Sequence, residues 1–183
     1  MASPSTSAAA TMVAAVDVQY DAFGVGATAG LVVCDDVTCS RIAAEHTTRV
    51  SPVAPCEPGA LFKRELPCIA AVLALAGPLD LLVVDGYATL DADGQPGLGV
   101  HAADLFHLPV IGVAKTPYRT ATHAARVLRG TATRPLFVTV AGGIELAEAA
   151  RIVANMAGPY RLPTALARAD RLARTAPPPS PSP

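Results

Sequence analysis

The chain has 183 residues, of which 51% are hydrophobic and only 4% aromatic, and its formal net charge is −1. That length suits one domain with a sizeable core, and the near-neutral charge excludes a global field that draws in nucleic acid, so such a partner needs a local basic patch. Four cysteines (Cys34, Cys39, Cys56, Cys68) without a C-x-x-C pair, and histidines without metal spacing, exclude a zinc site and fit reduced core thiols.

The N-terminus has no basic stretch leading into an apolar one, and no apolar run reaches membrane-spanning length. A soluble, cytoplasmic monomer with no membrane partner is therefore expected. Residues 1–11 are small and polar, and 176–183 are Pro/Ser-rich. Both ends are expected to be disordered, leaving 12–175 as the folded domain.

Within that domain Val13–Val18, Ala29–Cys34 and Ile42–Val50 read as strands. Gly24-Val25-Gly26 misses the dinucleotide-loop spacing and suits a hairpin turn, and Asp35-Asp36 suits a second turn. A helix follows, predicted to start near Arg64 to Pro67 because proline is tolerated in a first turn. Next come a strand over Leu81–Val84, a surface turn at Asp91-Ala92-Asp93-Gly94, a helix over Val100–Leu108 and a strand over Val110–Ala114. A basic, Thr-rich helix is predicted around Thr122–Arg129, then a strand over Pro135–Val140. Apolar residues at helical spacing predict helices over Ile144–Met156 and Pro163–Arg174. This order predicts an α/β fold: a mixed sheet of three antiparallel strands followed by parallel strands, with helices on both faces.

Two of the strands end in carboxylates. Asp17 follows Val13 to Val16, and Asp85 ends the run from Asp80 to Val84. Singly, each suits a turn or cap; together, on neighbouring buried strands, they make an acidic cleft that attracts a hard cation such as Mg²⁺. Glu65 sits at a helix mouth, where local sequence favours a partner for the helix dipole over a third cleft acid. Asp170 shares a helix face with Leu166 and Ala173, so it needs an inward partner: a metal, or a salt bridge to Arg161 or Arg174. Lys115, after a strand, either neutralises phosphate or is solvated. Arg119, Arg126, Arg129 and Arg134 make the only cationic patch, readable as a track for a nucleic-acid backbone or as a solvated helix face.

Four stretches in order resemble one family. They are Val16-Asp17-Val18; Pro58-Gly59 through Arg64-Glu65 to Pro67; Val83-Val84-Asp85-Gly86 with Ile111-Gly112-Val113-Ala114-Lys115; and Tyr160-Arg161-Leu162-Pro163 with Ala169-Asp170. Together, over about residues 12 to 175, the chain resembles endonuclease V, the Mg²⁺-dependent enzyme of inosine-containing nucleic acid with an RNase H-like fold. The resemblance implies Asp17 and Asp85 as metal ligands, Glu65 completing the metal site, and Asp170 as a fourth catalytic position. It also implies Lys115, Pro58, Gly59 and Gly86 against the substrate, with Mg²⁺ (or Mn²⁺) as cofactor. The implied partner is DNA or RNA containing a deaminated purine, hydrolysed one nucleotide 3′ of that base to a 3′-hydroxyl and a 5′-phosphate.

The departures concern the lesion-reading surface. The family's wedge tyrosine is Cys56 here, and a thiol cannot stack on a base. Tyr87 to Asp93 lacks the family's Gly-rich segment and its His-Pro-Arg ending, Gly142-Gly143-Ile144 replaces a Gly-His-Arg run, and the chain between Lys115 and Arg134 is much shorter than the family's. Two alternatives follow: a weak or inactive nucleic-acid-binding member, or a metal phosphodiesterase with a different substrate.

Overall fold

The most apolar segments of the chain form the middle of one seven-stranded sheet. The computed structural model describes residues 10–22 and 24–175; nearly all of the two ends expected to be disordered lie outside the described residues. In chain order the elements are β1 (Val13–Tyr20), β2 (Ala27–Cys34), β3 (Ile42–Val50), α1 (Phe62–Leu73), β4 (Leu81–Asp85) and α2 (Leu98–Phe106). Then follow β5 (Val110–Ala114), β6 (Ala125–Val127), β7 (Leu136–Ala141), α3 (Leu146–Asn155) and α4 (Thr164–Thr175). The sheet order is β3-β2-β1-β4-β5-β7-β6. Antiparallel β1, β2 and β3 precede the parallel neighbours β1, β4 and β5, the arrangement of an RNase H-like fold.

Residue alternation divides the core between the two faces of the sheet. Val13, Ala15, Leu81 and Val83 pack under α3 and α4, while Ala14, Val16, Leu82 and Val84 pack under α1 and α2. Because both faces are covered, β1 and β4 read as continuous apolar runs rather than alternating ones. Each fully buried Val or Leu contributes roughly 1.5–3 kcal/mol by leaving water, and the many alanines let helices approach the sheet closely. The first turn is a hairpin closed by the Asp21 N–H donating to the Gly26 carbonyl at 3.0 Å. In the second, the Asp36 carboxylate accepts the Thr38 amide at 2.7 Å. Asp91 also caps a surface turn, accepting the Gln95 amide at 2.8 Å.

Three expectations need correction. Thr122–Arg129 is not a helix: Ala125–Val127 is a short edge strand against β7. Arg129 decides this, because its buried guanidinium donates to the carbonyls of Met156, Gly158, Tyr160 and Arg161 in the α3–α4 connection. Those tertiary bonds outweigh the local helix propensity, and they also remove Arg129 from any track along a nucleic-acid backbone. Second, β7 runs antiparallel to β5, so the strands after the first three are not all parallel.

Third, α1 starts at Phe62, which leaves Pro67 inside the helix rather than in its first turn. Arg64 sets this start. It is buried, donates to the Gly24 carbonyl at 3.0 Å, and lies 4.1 Å from the Tyr20 ring centroid. This anchor holds the helix mouth against the β1–β2 hairpin at the cost of one backbone hydrogen bond at Pro67.

Gly30, paired with Asp17 across β1 and β2, lets α4 lie directly on the sheet. A Cβ there would collide with the Ala169 carbonyl oxygen and come within 2.8 Å of the Ala173 nitrogen. Gly30→Ala is therefore expected to lower stability by about 1–3 kcal/mol, the usual range for overpacking, readable in a chemical-denaturation midpoint. An unchanged midpoint would mean that α4 does not rest on Gly30.

Candidate active site

The parallel β1–β4 ladder runs from Val13↔Leu81 to Val16↔Val84 and stops one residue short of Asp17 and Asp85. In that register the two carboxylates stand side by side at the end of the pairing. Strand alternation turns both toward the face covered by α3 and α4, and β1 continues beyond Asp17 to Tyr20 instead of ending there. Neighbouring strands are about 4.8 Å apart, so two acids in this position share one small space.

Glu65 enters from α1, on the other face. A gap of about 10 Å³ is lined by Asp17, Glu65 and Asp85, with Val16, Val18, Ile69, Val84 and Leu98 around it. That is room for one water-sized occupant. The Glu65 carboxylate has no hydrogen-bond donor among the described residues. Burial pushes Glu65 up to about 8, with the Asp17 and Asp85 charges adding to the rise and Arg64 opposing it. Burial likewise pushes Asp17 up to about 6; the Gln19 hydrogen bond opposes this, while Asp85 and Asp170 reinforce it. Three carboxylates around a gap, two of them unwilling to ionise there, call for positive charge.

That charge is supplied locally by side chains. Lys115 Nζ pairs with Asp85 Oδ2, and the Arg161 guanidinium holds the Lys115 carbonyl. Gln19 Nε2 donates to Asp17 Oδ2 at 3.1 Å and to Asp170 Oδ1 at 3.2 Å, joining the acid on α4 to the acid on β1. Arg174 Nε donates to both Asp170 oxygens, at 2.9 and 3.0 Å. This bidentate pair holds the Asp170 carboxyl below the usual range. Of the partners that helix spacing left open for Asp170, the structure selects Arg174, and it adds Gln19.

Among the described residues no three His, Cys, Asp or Glu side chains stand as a preformed cation cage. Lys115 on Asp85 and Gln19 on Asp17 occupy the oxygens that such a cage would use. The donor set still fits a hard divalent ion: all-carboxylate oxygens, a gap of the right scale, and a buried Glu65 without a partner.

Above the acids opens a cavity of about 360 Å³, lined by Gly59, Leu61 and Phe62 at the mouth of α1, by Gly86, Tyr87 and Leu90, and by Pro96 to Leu98 and Tyr118. Glu65 and Asp85 line this cavity as well as the small gap. Gly86 has φ +136°, a conformation that lets the chain turn away from β4 directly after Asp85. Pro58 is exposed beside Gly59 but does not line the cavity. His101 stacks on Phe62 with ring centroids 3.7 Å apart, a packing role. Sequence reasoning missed Gln19, although its position two residues after Asp17 on a strand puts both side chains on one face. It also missed Tyr118, which has no local pattern to mark it.

An RNase H-like sheet whose central strands deliver carboxylates to one cleft is the framework of a nuclease. The family model for endonuclease V matches residues 2–126. An endonuclease V of Streptomyces coelicolor is 37% identical over 186 residues, covering 90% of this chain and 78% of that protein. The crystal structure of endonuclease V from Streptomyces avermitilis superposes with a TM-score of 0.76 at 30% identity, over 91% of this chain and 81% of that one. A Ciona intestinalis endonuclease V, crystallised with a 23mer DNA containing an inosine followed by a ribo-adenosine, gives a TM-score of 0.78. It is 20% identical over 90% of this chain and 84% of that one, so this likeness concerns the fold. The chain belongs to the endonuclease V family, a family of nucleases. No helix among the described residues is long and apolar enough to cross a membrane.

In the metal-free protein Asp17 and Glu65 hold protons more tightly than the unfolded chain does. The stability they contribute is full below the ordinary carboxylate range near pH ~4 and is lost as pH rises through about 6 and about 8. Asp36, held down to about 2 chiefly by the Thr38 hydroxyl, acts below that window. Glu65→Gln is thus expected to be more thermostable than wild type at pH 8 in EDTA, with the advantage shrinking toward pH 5. Parallel melting profiles for the two proteins would refute a protonated, buried Glu65.

Proposed function

We propose that the protein is a Mg²⁺-dependent endonuclease, Mn²⁺ serving in its place, that hydrolyses a DNA or RNA strand 3′ of a deaminated purine. The observation that carries this reading is the meeting of Asp17, Glu65 and Asp85 around one small gap that adjoins a cavity of about 360 Å³. Asp17, Asp85 and Glu65 would hold the ion. Bound there, it would supply positive charge to a phosphate oxygen and favour in-line attack by water.

The chain's own groups account for the rest. A deaminated base in the cavity places the strand on its 3′ side against Asp85 and Glu65, which line both spaces, so that the phosphodiester one nucleotide on meets the acids. Lys115, freed from Asp85 when that carboxylate takes another partner, turns its ammonium to the phosphate. Asp170, kept ionised by Arg174, accepts a proton from the attacking water while Gln19 holds it in line with Asp17. Water oxygen bonds to phosphorus and keeps its second proton on the new phosphate, the bond to the 3′-oxygen breaks, and that oxygen takes up a proton from solvent while Asp170 returns its own to solvent. The products are a 3′-hydroxyl and a 5′-phosphate.

Inosine as the target base is supported by family membership and by the inosine-containing DNA bound to the Ciona intestinalis relative. A second reading, a phosphodiesterase for another strand, is favoured by the exposed Cys56 at the wedge position and by the altered loop after Gly86.

Cleavage of an inosine-containing strand and an unmodified control with Mg²⁺ tests both readings. Metal-dependent product is expected from the inosine strand alone, and Asp85→Asn is expected to lower the rate by at least about 100-fold, the upper end even for loss of a group that merely supports a metal ligand. Equal cutting of both strands would favour the second reading, and no metal-dependent product from either would sink the enzyme.

Lys115→Met separates the two roles of that cation. It removes the charge that competes for Asp85, so calorimetry should record tighter Mg²⁺ binding, yet cleavage should slow by about tenfold or more for want of phosphate neutralisation. Weaker Mg²⁺ binding in this variant would contradict the competition.

A further inference from the structure

The acids explain chemistry at a phosphate but not how a base is gripped beside them, since the position that would stack on it is Cys56. That thiol is exposed and is not part of the cavity wall. A different aromatic group stands at the cavity. Tyr118, 50% exposed, lines the cavity together with Tyr87, their ring centroids 5.9 Å apart at 49°. A half-exposed tyrosine gains little from burial, yet its backbone is firmly held. The Tyr87 hydroxyl donates to the Thr116 carbonyl at 2.8 Å and accepts the Tyr118 amide at 2.9 Å. The Tyr118 carbonyl accepts the Ala121 amide at 3.1 Å, and the Thr120 hydroxyl ties this segment to the Leu90 carbonyl at 2.6 Å. His123 closes the same junction through the Thr89 hydroxyl at 2.7 Å.

The two segments that depart from the family pattern, 87–96 and the short stretch after Lys115, are therefore fastened to each other. Together they hold the Tyr118 backbone in place, with its half-exposed ring against Tyr87 at the cavity. A preorganised, exposed ring beside a phosphodiester site is suited to a flat, neutral π-face. The cavity at about 360 Å³ is at the small end of ligand pockets, and its lining is Gly, Leu, Phe, Pro and Tyr apart from the two acids at the site.

We infer that Tyr118 is the base-stacking residue of this protein, gripping the nucleobase of a single strand at the cavity. It takes over, from a different part of the chain, the stacking that Cys56 cannot provide. This rests on the proposed phosphodiester chemistry for its substrate but not for its test. Base–aromatic stacking tolerates any base, so Tyr118 governs the preference for unpaired strands, whereas the identity of the base is read elsewhere.

The test is equilibrium binding by fluorescence anisotropy in Ca²⁺, using a labelled single strand with one inosine and a strand of the same length that is abasic at every position. Tyr118→Ala and Tyr118→Leu are each expected to weaken binding of the inosine strand by about tenfold, as loss of one stack does. Tyr118→Phe should stay within about twofold of wild type, and all variants should bind the abasic strand alike. Leucine keeps the apolar bulk without a ring, so it separates stacking from simple contact. Full affinity in Tyr118→Ala, or an equal loss on both strands, would overturn the inference. Wild type that binds the inosine strand but never cleaves it would overturn the proposed reaction and leave Tyr118 standing; wild type that binds neither strand would overturn both.

Discussion

Everything in this site hangs on the register of two parallel strands. Because Val16 pairs with Val84, the next residues, Asp17 and Asp85, are neighbours at the point where β1 and β4 cease to pair. Their backbones are held by an apolar core on both faces, so the carboxylates cannot retreat from each other by local rearrangement. Placing a third carboxylate, Glu65, at the same gap from the opposite face raises the electrostatic cost further. The fold thus concentrates negative charge and holds it with packing energy drawn from Val, Leu, Ile and Ala side chains.

The rest of the site answers that cost. Lys115 comes from the end of β5, the next parallel strand, and sits on Asp85. Arg174 and Gln19 secure Asp170 and link it to Asp17. Each of these groups can be exchanged for another partner, because Lys115 and Arg174 are largely exposed and lose little when their ion pairs open. Glu65 differs in having no such partner among the described residues, and its burial raises its pKa. A site in which exposed cations pair with acids fixed by the sheet suits a reaction that brings in its own charges, in the proposed reaction a divalent ion and a phosphate.

The surface that would read the strand is built on a separate principle. The loops at 87–96 and 116–124 have few apolar anchors of their own and depend on mutual hydrogen bonds through Tyr87, Thr120 and His123. A change in one loop therefore bears on the position of the other.

Much of this was legible in the chain itself. Continuous apolar runs marked β1, β4 and β5 as buried on both faces, and the carboxylates that close two of those runs stood out because acids are rare there. The order of strands and helices was enough for the mixed sheet. Residues 122–129 were misread because their alanines and arginines favour a helix locally, whereas a buried Arg129 and an open β7 edge reward a strand over 125–127. The start of α1 was misread because Arg64 reaches a carbonyl forty residues away in sequence, which no local rule about Pro67 contains. So the sequence by itself determined which residues would form every strand but β6, which acids would be unusual, and which face of α4 would turn inward; these follow from periodicity and burial, which are local. Only the tertiary structure decided that Glu65 joins Asp17 and Asp85, that Arg174 rather than Arg161 pairs with Asp170, and that Tyr118 stands at the cavity. Those facts depend on distances between segments far apart in the chain, and such distances are set by packing.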